Sequence, residues 1–131
     1  MSEKKRLLLV DDEKDFSNSL RLYLEMENYD VDVANSADRA LEFVGNTTYH
    51  LIISDVMMPD IDGYELRKRL RSMDATKRTP IIMLTAREAD VESLKEISDG
   101  ATSFIMKPFE HTILLAEIKH LVTRRAAPDI A

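Results

Sequence analysis

The sequence predicts a doubly wound α/β domain, a five-stranded parallel sheet with five helices on its two faces. Three observations predict it. Five short apolar runs are spaced along the chain, and three of them are nearly continuous hydrophobic segments, as expected of strands buried on both faces. The stretches between and after them repeat their apolar residues at three and four positions, which puts one apolar stripe on an otherwise polar helix. The connections are short, so the crossovers are right-handed and the strands parallel.

The first strand, Leu7–Val10, is followed by Asp11-Asp12-Glu13 and a helix striped by Phe16, Leu20, Tyr23 and Leu24. Val31–Ala34 is the second strand. Ser36 lies near the start of a helix carrying Ala37, Ala40, Leu41 and Val44, and Gly45-Asn46 is its expected stop. Leu51–Ile53 forms the third strand and runs through Ser54 into Asp55; Leu66, Leu70 and Met73 mark the third helix. Ile81–Leu84 precedes Thr85. Glu88 lies near the start of a fourth helix striped by Val91, Leu94 and Ile97, with Asp99-Gly100 as its stop. The fifth strand, Phe104–Met106, precedes Lys107-Pro108 and a last helix carrying Leu114, Leu115, Ile118, Leu121 and Val122. After Thr123 the periodicity is lost, so residues 1–123 are expected to form the domain and residues 124–131 a flexible tail or the start of a linker.

Composition narrows the function classes. A chain of 131 residues fits one domain, and 44% hydrophobic with 32% charged residues is too apolar for a disordered one. The absence of Cys excludes disulfides and thiolate metal sites. No apolar run approaches a membrane span and the first ten residues do not read as a signal peptide, so a cytoplasmic location is expected. A net charge of -6 and a pI near 5.1 disfavour a polyphosphate partner. The one basic cluster, Arg67-Lys68-Arg69 with Arg71, surrounds Leu66, Leu70 and Met73 at helical spacing and reads as a solvated helix face.

The polar residues that follow the strands carry the chemistry. In a parallel sheet all carboxyl ends share one edge, so Asp11, Asp12, Asp55, Thr85 and Lys107 should converge there. Several carboxylates crowded in a partly dehydrated cleft repel one another, and oxygen-only ligands point to Mg2+ with retained waters. A carboxylate beside a metal, a lysine and a hydroxyl suits phosphoryl chemistry, with Asp55 as nucleophile, Lys107 neutralising phosphoryl oxygens and Thr85 donating to the product. Taken singly, each has a plainer role: Asp11 and Asp12 as caps of the first helix, Thr85 as an N-cap, Lys107 as a surface lysine. Mutually complementary groups at four strand ends favour the joint reading.

LLLVDDE, IISDVMMPDIDGYEL, PIIMLTA and FIMKPF, in this order and spacing, resemble the receiver domain of two-component response regulators, with the fold of a chemotaxis regulator, across residues 6–123. The resemblance implies a flavodoxin-like strand order of 2-1-3-4-5. It implies that Asp55 accepts a phosphoryl group from a sensor histidine kinase or phosphotransfer protein, and that Asp11, Asp12, Asp55 and the backbone carbonyl of Met57 hold Mg2+. It further implies that Thr85 and Lys107 contact the phosphoryl group, that the Lys107-Pro108 bond is cis, and that Thr85 and Phe104 relay the change. The output face, formed by the fourth helix, fifth strand and fifth helix, would act on an attached output domain or a separate target. On this reading the chain is a bacterial cytoplasmic signalling module, not an enzyme on an external substrate, with no nucleic-acid or membrane contact of its own. Many DNA-binding relatives dimerise through that face by salt bridges, but Thr102, Ser103, Ile113 and Glu117 stand at those positions here, so a homodimer would need other contacts.

Two competing functions are weaker. Asp60-Ile61-Asp62-Gly63 resembles the DxDG signature of haloacid-dehalogenase phosphatases, yet that motif must begin directly at a strand end and this one follows Pro59; nor has it the spacing of an EF-hand loop. A receiver-like module without phosphotransfer should lack one of the acidic pair, the acceptor, the Thr or the Lys, and all are present.

Overall fold

A computed structural model describes residues 4–58, 61–87 and 102–126. Five strands, β1 (Arg6–Val10), β2 (Asp30–Ala34), β3 (Leu51–Asp55), β4 (Ile81–Thr85) and β5 (Thr102–Met106), form one sheet in the order β2-β1-β3-β4-β5 with every neighbouring pair parallel. The helices among the described residues are α1 (Lys14–Met26), α2 (Ala37–Asn46), α3 (Gly63–Arg71) and the C-terminal helix (His111–Ala126). These are four of the five expected. The stretch anticipated as the fourth helix, with Glu88, Val91, Leu94, Ile97 and Asp99-Gly100, lies outside the described residues.

Strand alternation sorts the interior into two layers. Leu7, Leu9, Leu51, Ile53, Ile82 and Leu84 point to one face, where α1 and the C-terminal helix bring Leu20, Leu24, Leu114 and Ile118. Leu8, Val10, Ile52, Ile81 and Met83 point to the other, against Ala37, Ala40 and Val44 of α2 and Leu66 and Leu70 of α3. Burying each large aliphatic side chain stabilises the fold by about 1.5–3 kcal/mol, so the central strands read as unbroken apolar runs because both their faces are covered.

Local chemistry sets the helix ends. The Ser36 hydroxyl accepts the Arg39 N–H at 3.1 Å and starts α2, and the Asp62 carboxylate accepts the Glu65 N–H at 2.9 Å and starts α3. Asn28, with φ 75°, takes the left-handed conformation that ends α1, and the Tyr29 N–H returns to the Leu24 carbonyl at 3.2 Å. Gly45 and Asn46, expected as the stop of α2, instead close its last turn before Thr47. The helix expected to include Met73 ends at Arg71, although Met73 still packs against the second layer. The C-terminal helix continues to Ala126, past the point where its apolar periodicity stops.

The basic cluster on α3 is more than a solvated face. Arg71 donates to the carbonyls of Thr76 and Thr79 at 3.1 and 2.7 Å, and Arg67 and Arg71 both donate to the Thr102 hydroxyl on β5 at 3.1 and 3.3 Å. Arg69 pairs with Glu65 one turn back. Two of the four cations are therefore spent tying α3 to the loop before β4 and to the edge strand. No helix among the described residues is long and apolar enough to cross a membrane.

Candidate functional site

Asp11 follows the last residue of β1, Asp55 is the last residue of β3, Thr85 the last of β4, and Lys107 follows β5. The pairing register continues past β3, where the Val56 N–H reaches the Leu84 carbonyl at 2.9 Å, and past β5, where the Lys107 N–H reaches the Thr85 carbonyl at 2.6 Å. Four groups distant in sequence thus stand along one sheet edge. Their strand positions sort them further: Asp11, Asp55 and Lys107 continue the face of α1 and the C-terminal helix, whereas Thr85 continues the face shared by Ile81 and Met83.

Asp11, Asp12 and Asp55 each offer a carboxylate oxygen, all within 4.8 Å of one another. The Lys107 ammonium lies 3.3 Å from Asp55 Oδ2 and 3.8 Å from Asp11 Oδ2. Asp11 is fully buried. Its Oδ1 accepts the Glu13 N–H at 2.8 Å, while its Oδ2 has no hydrogen-bond partner among the described residues. Burial pushes the Asp11 carboxyl up from 3.8 to about 6, opposed by the Glu13 N–H; Asp55 raises it further, Lys107 lowers it and Asp12 raises it. Neither Asp11 nor Asp12 serves as N-cap of α1. That position is Glu13, which makes no side-chain cap.

An orphaned buried carboxylate oxygen within reach of two further carboxylates, one exposed and one nearly buried, fits a hard divalent cation that keeps several waters. Asp55 is only 9% exposed; its Oδ1 is approached by the Met57 N–H at 3.4 Å, so Met57 meets the site through its backbone and leaves its side chain in solvent. The buried Thr85 hydroxyl accepts the Arg87 N–H at 3.1 Å, a local turn that fixes its direction. The Lys107-Pro108 peptide bond is cis.

Phe104 lies on β5 opposite Met83, with Met106 opposite Thr85, so Phe104 and Thr85 are diagonal neighbours on one face; Phe104 is half-buried against the second layer. On the same strand the Ser103 hydroxyl donates to Glu117 at 2.6 Å. Ile113 is exposed beside them, and with Thr102, Ser103, Phe104 and Glu117 it lines a groove of about 530 Å3. Asp62 of the phosphatase-like motif caps α3, and Asp60 lies outside the described residues.

Two contributors escaped the sequence reading. A Cβ on Gly63 would lie 2.6 Å from the Asp55 carbonyl oxygen and 2.9 Å from Val56 Cα, so only glycine lets α3 begin directly beneath the end of β3, where the Gly63 N–H bonds the Val56 carbonyl at 2.8 Å. The signal was present in a glycine just after a capping Asp, but the close approach is a tertiary fact. Phe16, expected only as a core residue of α1, also places its ring 4.6 Å from the Lys107 ammonium.

Residues 7–119 match the sequence profile of the response regulator receiver domain. The chain is 38% identical over 124 residues to the transcriptional regulatory protein CpxR homolog of Haemophilus influenzae, covering 95% of this chain and 53% of that protein. It spans about half the length of the curated relatives it matches. Among solved structures it resembles the receiver domain of a signal transduction histidine kinase from Syntrophus aciditrophicus, with a TM-score of 0.84, 29% identity, and coverage of 97% of this chain and 96% of that one. The chemotaxis response regulator CheY4 of Vibrio cholerae is also similar, with a TM-score of 0.82, 30% identity, and coverage of 90% and 98%. The sequence match, the strand order and the carboxylate cluster agree, and the chain belongs to the response regulator receiver domains, the phosphorylation-controlled signalling modules of two-component systems.

Proposed function

We propose that Asp55 accepts the phosphoryl group, that the donor is a phosphohistidine on a sensor histidine kinase or phosphotransfer protein, and that the modification resets the surface around β5. The observation that carries this reading is the convergence of three carboxylates and one ammonium at the sheet edge. A lone pair on an Asp55 carboxylate oxygen forms the new O–P bond as the P–N bond to the donor imidazole breaks, its electron pair returning to the ring nitrogen. Lys107, 3.3 Å from that carboxylate, neutralises charge on the transferred group, and the Thr85 hydroxyl donates to one of its oxygens.

Asp11, Asp12 and Asp55, with the Met57 carbonyl, would hold Mg2+. When bound, the ion supplies positive charge that offsets the crowded carboxylates and the phosphoryl oxygens. The chain promotes its own phosphorylation and the hydrolysis of its phosphoaspartate, and acts on no other substrate. A donor kinase charged from ATP places the module in the cytoplasm. Its output is an attached domain or a separate target that reads the face containing β5 and the C-terminal helix. A homodimer through that face would not use the usual salt bridges, since Ser103 and Glu117 bond each other and Arg67 and Arg71 hold Thr102.

The test is incubation with Mg2+ and phosphoramidate or acetyl phosphate, followed by intact mass, with Asp55→Asn alongside. One acid-labile phosphoryl group that requires both the metal and Asp55 is the expected result. A folded chain that gains none, or gains it equally in Asp55→Asn, overturns the assignment.

A further inference from the structure

Among the described residues, the Lys107 ammonium lies 3.3 Å from Asp55 Oδ2, 3.8 Å from Asp11 Oδ2 and 4.6 Å from the centroid of the Phe16 ring. The ring is itself fixed. It meets Phe109 edge-on, with centroids 6.3 Å apart and planes at 87°, and it packs against the interior of the first layer. A groove of about 380 Å3 opens beside it, lined by Phe16, Ala86, Lys107, Pro108, Phe109 and His111. A lysine on a flexible four-carbon stem beside such a groove has somewhere else to go, and its side chain is already 26% exposed.

We infer that Phe16 is a positioning residue for phosphoryl transfer, its ring face helping to hold the Lys107 ammonium at the place where it also lies 3.3 Å from Asp55 Oδ2. The inference rests on the proposed role of Lys107 at the phosphoryl group. Its physical basis is that a π face attracts a cation without being a charge or a hydrogen-bond acceptor. Either carboxylate changes its claim on the ammonium when a metal ion or a phosphoryl group arrives, whereas the ring does not. Phe16 therefore supplies an attraction that stays constant through the cycle, and the edge-on contact with Phe109 supports the ring.

The experiment uses the intact chain with Mg2+ and phosphoramidate, and compares Phe16→Leu, Phe16→Tyr and the chain carrying pentafluorophenylalanine at position 16. The Leu variant keeps apolar volume without a π face, and the fluorinated ring keeps shape while reversing the sign of that face. Phosphorylation of Asp55 is expected to slow roughly 3- to 10-fold with Leu and with the fluorinated ring, and to stay near the unmodified rate with Tyr. In the resting chain, the Lys107 Hε resonances are expected to be shifted upfield by the ring current and to lose that shift in the Leu variant, a signature that loss of packing elsewhere would not produce. Equal rates for the unmodified and fluorinated chains, or Hε resonances at ordinary positions in the unmodified chain, overturn the inference. An unmodified chain that is never phosphorylated at Asp55 instead overturns the proposed function, so the two failures are distinct.

Discussion

Asp11 is the residue whose chemistry conflicts most with its place. It is fully buried, keeps one oxygen without a hydrogen bond among the described residues and faces two other carboxylates. Unfolded, it ionises near 3.8; in the metal-free fold it ionises near 6. Between those values the folded chain binds the extra proton, so folding stability falls as pH rises from about 4 to about 6 and stays reduced above it, by about 2–3 kcal/mol from this group. Divalent cation should reverse the trend, since only the ionised carboxylate is a good ligand, and Mg2+ should raise the melting temperature more at pH 7 than at pH 5. Melting curves across pH, with and without Mg2+, on the unmodified chain and Asp11→Asn would test this. The expected result is a pH slope present in the first and absent in the second, and an unchanged slope in Asp11→Asn would assign it to another group. The same buried carboxylate explains why a site with one ammonium still has capacity for a divalent ion: Lys107 stands 3.8 Å from Asp11, beyond hydrogen-bonding distance.

At the scale of elements, the join between β3 and α3 positions Asp55. The N-terminus of α3 is held by the Asp62 cap and the Gly63 N–H bond to Val56, against the backbone of Asp55 at the end of β3. A Gly63→Ala methyl would press on backbone atoms that cannot rotate aside. It should destabilise the fold by about 1–3 kcal/mol and lower the phosphorylation rate by displacing Asp55. Calorimetry with a phosphorylation time course checks both, and a variant with unchanged melting and rate would show that the join relaxes without cost. Such joins are the part of the structure that sequence does not display. The three central strands were legible because burial on two faces leaves continuous apolar runs, and Asp11, Asp55, Thr85 and Lys107 were legible because each lies at the end of a short apolar run. Gly63 was not, because nothing in its neighbours' identities says that β3 passes within van der Waals contact. Arg67 and Arg71 were read as solvated because helical spacing gives the outward direction of a side chain but not what stands opposite it, here Thr102 and two carbonyls. Met73 extended the expected α3 because its apolar spacing persists where the backbone has already turned.

For the whole molecule, the question is how a charge placed on one face of the sheet reaches Phe104 on the other. Asp55 and Lys107 continue the face of α1 and the C-terminal helix, whereas Thr85 and Phe104 lie on the face of α2 and α3. On the proposed mechanism, Thr85 bridges the two because it stands at the very edge, where its hydroxyl can turn toward a phosphoryl group on Asp55. That hydroxyl now accepts from the Arg87 N–H, so turning toward the phosphoryl group changes the loop after β4 and the space beside Phe104 on the neighbouring strand. Contacts from Thr85 and Lys107 worth about 1.5–3 kcal/mol each would together approach the roughly 5.5 kcal/mol that inverts a 1:99 equilibrium. Phe104 is half-buried against the second layer in the resting chain. With 4-fluorophenylalanine at position 104, phosphorylation at Asp55 should shift the fluorine resonance in the otherwise unmodified chain. In Thr85→Val, which keeps the shape and removes the hydroxyl, the phosphoryl group should still be gained, but the shift should shrink by at least half, because one of the two contacts that drive the change is gone. A full shift in the Val variant would mean that the signal reaches β5 through Lys107 alone, along its own strand, and that the second face of the sheet follows rather than carries the switch.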